Sequence, residues 1–260
     1  MKKLYSIALL LCVFLLIIFI YNQLQNENNM NSFKSSDGVE GEYRIYPVDE
    51  PAGTLLWLHG DGAYEYNHPH SKEYLAGPKG IKHAAKDKRL TLVVPKTPND
   101  DTWWKQGEQN AAYLVELISS LPDHETLWIG GFSGGSELTT YWLLEDLKKA
   151  GVKQGGAILF GGGGSPEVEG ITSDREKRDI IEQPFPLIWI VGATDDGLEA
   201  NSDGFNALKA SREGEAFYRS QNWDTNRQVI TGYGHLLSKD GEGLYGHYLS
   251  EMIDVGSQVK

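Results

Sequence analysis

The sequence predicts an α/β fold with a mostly parallel central sheet flanked by helices. Short apolar runs bounded by glycine or proline alternate with longer amphipathic patterns, and several runs are apolar at nearly every position, as in strands covered on both faces. Candidate strands lie at 54–59, 90–95, 126–131, 156–161, 187–192 and 227–231, and an alternating run at 42–48 predicts an antiparallel strand. Candidate helices lie at 107–121, 136–150, 204–216 and 244–255.

The first 21 residues differ in composition from the rest of the chain. After Lys2 and Lys3, residues 4–21 are almost wholly apolar. As a helix, this segment would measure about 27 Å, close to the thickness of a bilayer core. It is longer than the apolar part of a cleaved signal and lacks a small-residue cleavage site, which favours an uncleaved transmembrane signal anchor over a cleaved peptide. The lysines precede the segment, so we expect the following domain on the extracytoplasmic side, at a cell surface or in a periplasm.

Residues 22–41 are rich in Asn, Gln and Ser and predict a flexible tether. Residues 42–260 then remain, a length that suits one large α/β domain with its own core. The formal net charge of −12 argues against nucleic acid and against an anionic membrane surface as ligands. We therefore expect membrane contact through the N-terminal helix only.

A sharp strand-to-helix turn is predicted where the 126–131 strand ends in Gly131-Phe132-Ser133-Gly134-Gly135. This G-x-S-x-G pattern is common by chance in a glycine-rich chain, but its position between a strand and a helix is typical of a nucleophile elbow. Such a turn exposes the serine hydroxyl at the edge of the sheet. Ser133 is therefore the candidate nucleophile, and an incidental serine in a glycine turn is the alternative.

A serine hydroxyl needs a base within hydrogen-bond reach, and in elbow enzymes an acid and then a histidine follow the serine along the chain. His235 follows the last candidate strand, and the other six histidines lack this placement. The acid should follow the preceding strand, where Asp195 and Asp196 are adjacent. Asp195 is the candidate, Asp196 is the alternative, and we expect the other aspartate to cap the following turn.

An oxyanion intermediate needs two backbone donors. The N–H of Gly134 is one candidate, because it lies at the start of the predicted helix. The other candidate is the N–H of Asp61, with Gly62 next, in the glycine-rich loop after the first long strand. His59 is expected to orient this loop, and a plain glycine turn is the alternative.

With these motifs in this order, residues 42–255 resemble the α/β-hydrolase superfamily. The resemblance is closest to small secreted esterases of the polyhydroxybutyrate-depolymerase and feruloyl-esterase kind, which also carry a strand-end His-Gly loop and a GxSxG elbow. It implies a triad of Ser133, His235 and Asp195, a small-molecule or polymeric ester as substrate, and no cofactor. The chain departs from many extracellular members in having no disulfide, because its single cysteine, Cys12, lies in the predicted anchor.

Two further segments are candidates for the substrate site. Trp103 and Trp104 could form a wall for a sugar, aromatic or acyl group, or they could cover the edge of the sheet. The segment 161–186 could act as a lid or form a charged surface helix, and it has no large apolar face. A short-chain or polar ester is therefore expected rather than a triglyceride.

A peptidase or amidase with the same three residues, and a binding domain without turnover, are the competing functions. The composition excludes a thiol hydrolase, since the domain has no cysteine, and residues spaced to bind a metal are not found in the sequence.

Overall fold

A computed structural model describes residues 29–98, 102–167, 185–198 and 204–255, and these residues build a central sheet of eight strands. The strands are β1 (Met30–Lys34), β2 (Glu40–Tyr46), β3 (Gly53–Leu58), β4 (Leu90–Pro95), β5 (Thr126–Phe132), β6 (Gln154–Phe160), β7 (Leu187–Gly192) and β8 (Thr225–Ile230). Their order across the sheet is β1-β2-β4-β3-β5-β6-β7-β8. Strands β3 to β8 pair in parallel, while β1 with β2 and β2 with β4 are antiparallel. The predicted mostly parallel sheet is confirmed.

Helices cover the two faces of the sheet. They are α1 (Tyr64–Asn67), α2 (Ile81–Asp87), α3 (Gly107–Ser120), α4 (Gly134–Leu138), α5 (Ala207–Ser220) and α6 (Tyr245–Met252). Side chains alternate along the strands, so Leu56 and Leu58 of β3 pack with α3 and α4, and Leu55 and Trp57 pack with α2 and α6. All four side chains are fully buried, which explains why these strands lack the polar alternation of a half-exposed sheet.

Two predicted helices differ from the observed ones. The helix predicted at 136–150 begins at Gly134, widens into a π-helical turn at Thr139–Leu143 and tightens into a 3₁₀ turn at Leu144–Asp146. The helix predicted at 204–216 begins later, as α5, because the side chain of Asn206 accepts a hydrogen bond from the Lys209 N–H and caps its first turn.

The predicted tether at 22–41 is wrong over 30–34 and 40–41, which form β1 and the start of β2. Met30 pairs with Arg44 and Lys34 with Glu40, and the Phe33 ring packs edge-on against Tyr113 at 5.6 Å. A polar segment can form an edge strand here because it is held by backbone hydrogen bonds and by the partly buried Phe33 ring. The folded domain therefore begins before residue 42.

Residues 22–28 and the predicted anchor at 1–21 lie outside the described residues, as do 168–184 of the candidate lid. Among the residues that are described, none of the helices has the length and apolarity needed to cross a bilayer.

Candidate active site

Ser133 occupies the turn between β5 and α4 in a strained backbone conformation. Its φ of 48° and ψ of −114° lie in a region that residues other than glycine rarely adopt, at a cost of order 1–3 kcal/mol. The turn is tight because its glycines have no side chains. A side chain at Gly135 would overlap the carbonyl oxygen of Leu58, and one at Gly131 would overlap the backbone of Gly135. The structure thus places Ser133 in the predicted elbow.

Three side chains that are distant in sequence meet at this turn. The Nε2 atom of His235 lies 3.0 Å from Oγ of Ser133, and its Nδ1 atom lies 3.0 Å and 3.2 Å from the two carboxylate oxygens of Asp195. Because an ionised carboxylate only accepts hydrogen bonds, Nδ1 carries the proton and Nε2 accepts from the serine hydroxyl. The imidazole is therefore oriented to receive the hydroxyl proton of Ser133.

The two adjacent aspartates have different environments. Asp195 is fully buried against His235, whereas Asp196 is exposed. Oδ1 of Asp196 accepts a hydrogen bond from the Leu198 N–H at 3.1 Å, so this side chain caps the local turn. The structure brings Asp195, and not Asp196, to the histidine.

Short contacts fix the acid loop against the histidine loop. The Thr194 N–H donates to the Tyr233 carbonyl at 3.1 Å, and a side chain at Gly192 would overlap the carbonyl oxygen of Gly234. Beyond His235, the Leu237 N–H donates to Oη of Tyr245 on α6 at 3.2 Å. The histidine loop is thus tied at one end to the turn after β7 and at the other end to α6.

The loop after β3 is held by the imidazole of His59. The Thr97 N–H lies 3.2 Å from Nε2 of His59, which must therefore accept, so Nδ1 carries the proton and donates to the Gly60 carbonyl at 2.6 Å. The Ala63 N–H donates to the same carbonyl oxygen at 3.1 Å. His59 thus contacts the loop that it was expected to orient.

Asp61 and Gly134 lie side by side at the reactive serine. A side chain at Gly134 would meet Oδ1 of Asp61, and both residues line the same cleft as Ser133. The Gly60–Asp61 peptide is planar and trans, so its N–H points away from the Gly60 carbonyl that His59 holds. The two residues predicted to supply the oxyanion donors are therefore neighbours in the fold.

The adjacent tryptophans have separate positions. Trp103 is fully buried, its ring lies 4.8 Å from the His59 ring, and its Nε1 donates to the His59 carbonyl at 3.1 Å. The prediction that Trp103 binds substrate is wrong, because this indole packs beneath the loop. Trp104 is 50 % exposed and lines the cleft, and its Nε1 donates to Oδ2 of Asp61 at 2.9 Å.

The cleft at Ser133 has a volume of about 700 Å³. Its walls are mostly aromatic, and the carboxylates among its described lining residues belong to Asp61, Glu73 and Glu137. The aromatic walls are formed by Tyr64, Tyr74, Trp104, Phe132, Tyr141 and Phe205. No lysine or arginine lines the cleft within the described part of the chain.

Two buried glutamates beside the cleft were missed by the sequence analysis. Glu65 and Glu137 are buried, and in each case the burial raises the pKa of the carboxyl to about 7. Both contact backbone N–H groups of loops that flank Ser133. Nothing in the sequence indicated their burial, because glutamate is usually exposed in short polar stretches and on helices.

No group of His, Cys, Asp and Glu side chains suited to hold a metal ion occurs in the four described ranges.

Comparisons with known proteins give structural likeness at low sequence identity. No protein-family model and no curated protein sequence match the chain. A thermostable esterase superposes with a TM-score of 0.54 at 17 % identity, over 85 % of this chain and 59 % of the esterase. This chain therefore spans less than two thirds of that protein.

Two structures of more similar length also match. A thermophilic esterase from the Planctomycetes species Thermogutta terrifontis, with propionate bound, gives a TM-score of 0.54 at 16 % identity and covers 86 % of this chain and 90 % of its own. A phospholipase/carboxylesterase from Dyadobacter fermentans gives a TM-score of 0.53 at 14 % identity, and the match covers 81 % of this chain and 94 % of that one.

The narrower resemblance to depolymerases and feruloyl esterases stays a prediction, because likeness at these identities carries only the architecture. The sheet order, the serine elbow after β5 and these superpositions agree on one architecture: the chain has the fold of the α/β-hydrolase superfamily.

Proposed function

We propose that this protein is a serine hydrolase that cleaves a carboxylic ester through an acyl-enzyme. The observation that carries the proposal is the continuous contact from Asp195 through His235 to Oγ of Ser133, with 3.0 Å at each step. Nucleophile, base and orienting acid within hydrogen-bond reach are what activates a serine at neutral pH.

The proposed reaction has two steps. In the first, Oγ of Ser133 attacks the ester carbonyl while Nε2 of His235 takes the hydroxyl proton, and Asp195 stabilises the resulting imidazolium. The N–H groups of Gly134 and Asp61 bind the oxyanion, and His235 then protonates the departing alcohol. In the second, His235 takes a proton from water, which attacks the acyl-enzyme, and the carboxylic acid leaves as Ser133 regains its proton.

The dimensions and lining of the cleft support a short-chain or polar ester as substrate. A volume of about 700 Å³ suits a small ligand, and aromatic rings can bury an acyl or aryl group. Because the described lining contains three carboxyl groups and no lysine or arginine, an uncharged ester fits better than one with a carboxylate near the scissile bond. Trp104, half exposed beside Asp61, is the proposed substrate-contacting aromatic residue.

We further propose that the enzyme acts outside the cytoplasm, held to the membrane by the apolar segment at 4–21. The support is in the sequence alone: the segment has the length of a membrane span and is preceded by Lys2 and Lys3.

The test is labelling of the full-length chain in detergent with a fluorophosphonate probe, beside Ser133→Ala. We expect labelling of the wild type, none of Ser133→Ala, and faster turnover of p-nitrophenyl esters than of peptide anilides. A wild-type chain that is folded but neither labelled nor active on esters would overturn the proposal in favour of a binding domain. Faster cleavage of the anilides would reassign it to a peptidase or amidase.

A further inference from the structure

Glu65 carries a buried carboxyl group that the proposed reaction does not use. It lies on the short helix α1, is 1 % exposed, and its two oxygens lie 3.0 Å and 3.3 Å from the backbone nitrogen of Gly60. Burial raises its pKa to about 7, so the fold disfavours the charged form. An apolar side chain of similar size would avoid this desolvation, but it could not accept the Gly60 N–H.

Gly60 is the residue before the proposed oxyanion donor, and it lies against the serine elbow. A side chain at Gly60 would overlap the Phe132 ring and come close to Cβ of Ser133. Only glycine fits there, and glycine is also the residue with the most backbone freedom. The loop therefore needs partners that fix the Gly60 backbone.

The Gly60 backbone has such a partner at each end. Glu65 accepts its N–H, and His59 and the Ala63 N–H hold its carbonyl oxygen. With the N–H and the C=O both held, the plane of the following peptide is set, and the Asp61 N–H belongs to that plane. We propose that Glu65 is a positioning residue that orients the Asp61 N–H toward the oxyanion.

Glu137, on α4, offers a matched control. Glu137 is also buried, with a pKa raised by burial to about 7, and its Oε1 accepts the Gly163 N–H at 2.8 Å. Gly163 belongs to the loop after β6, which is not part of the oxyanion loop. The two glutamates thus have the same chemistry, but only Glu65 holds a residue adjacent to a proposed oxyanion donor.

This inference rests on the proposed function, and the experiment separates the two. On the full-length chain, kcat and KM for a p-nitrophenyl ester are measured together with the inhibition constant of a trifluoromethyl ketone, which becomes a tetrahedral oxyanion on the reactive serine. The variants are Glu65→Leu, which removes the acceptor, Glu65→Gln, which keeps one, and Glu137→Leu.

For Glu65→Leu we expect kcat to fall by about 10- to 100-fold, the inhibition constant to rise by the same factor, and KM to stay within about threefold. Its melting temperature should fall only modestly, because the removal of a buried carboxyl partly offsets the loss of the acceptor for the Gly60 N–H. Glu65→Gln should keep kcat and the inhibition constant near the wild-type values. Glu137→Leu should alter KM without a fall in kcat matched by an equal rise in the inhibition constant. If Glu65→Leu does not fold, Glu65→Ala serves in its place, since its methyl group cannot reach Gly60.

A folded Glu65→Leu or Glu65→Ala with wild-type kcat and inhibition constant overturns the inference while leaving the proposed function intact. A loss of kcat in Glu65→Leu without a change in the inhibition constant also overturns it. A wild-type chain without ester turnover overturns the proposed function instead.

Discussion

On one side of Ser133 lie two side chains, His235 and Asp195, and on the other lies a run of backbone from His59 to Asp61. The first side is joined by hydrogen bonds between side chains. The second presents peptide groups, which are held from behind by His59, Glu65 and the Ala63 N–H. The difference is instructive because the chemistry of the first side depends on residue identity, whereas that of the second depends on the direction in which a peptide points.

The largest expected effect is on the side-chain half of the site. Asp195→Asn should lower kcat by about 10⁴-fold, since the amide no longer fixes the tautomer of His235 or stabilises its cation. Asp196→Asn should stay within about tenfold, because Asp196 caps a local turn. Steady-state ester hydrolysis by both variants measures the contrast. The reverse result would assign the acid to Asp196 and contradict the geometry.

The next largest expected effect is on the side chain that packs beneath the backbone run from His59 to Asp61. Trp103→Ala should cost about 3–5 kcal/mol of unfolding free energy, because it removes a fully buried indole under the loop that carries the proposed oxyanion donor. Trp104→Ala should change stability by less than about 1 kcal/mol, since that ring is half exposed, and should instead raise KM. Denaturant titration and ester kinetics on both variants make the comparison. A similar loss of stability in both would refute the assignment of Trp103 alone to the core.

The smallest expected effect comes from removing the backbone N–H of Asp61 itself. Asp61→Pro removes the proposed oxyanion N–H and should lower kcat by about 10²–10³-fold. Asp61→Ala keeps the N–H and loses only the carboxylate that accepts from Trp104, so kcat should stay within about tenfold. Proline requires a negative backbone φ, and the φ of Asp61 is not positive, so proline can be placed at this position. Equal kcat values in two folded variants would remove Asp61 from the oxyanion site.

Much of the sheet could be predicted from the sequence. Strands β3 to β8 lie within a few residues of the predicted runs. Strands β3 to β7 are largely buried and apolar and most end near glycine or proline, which makes them recognisable, whereas β8 is only partly buried. Strand β1 was missed because its pairing to β2 uses backbone hydrogen bonds, which a polar composition does not reveal. The short helices α1 and α2 were also missed, since 4 and 7 residues give too little periodicity to recognise.

The sequence by itself determined which side chains stand at the ends of the strands, and so it placed Ser133, His235 and an adjacent pair of aspartates at one edge of the sheet. Tertiary structure decided which aspartate meets the histidine, which tryptophan is buried and which carboxyl holds Gly60. The physical reason is that burial and hydrogen bonding depend on partners from distant parts of the chain. The sequence alone cannot distinguish neighbouring residues of the same type, because their different environments come from those distant partners.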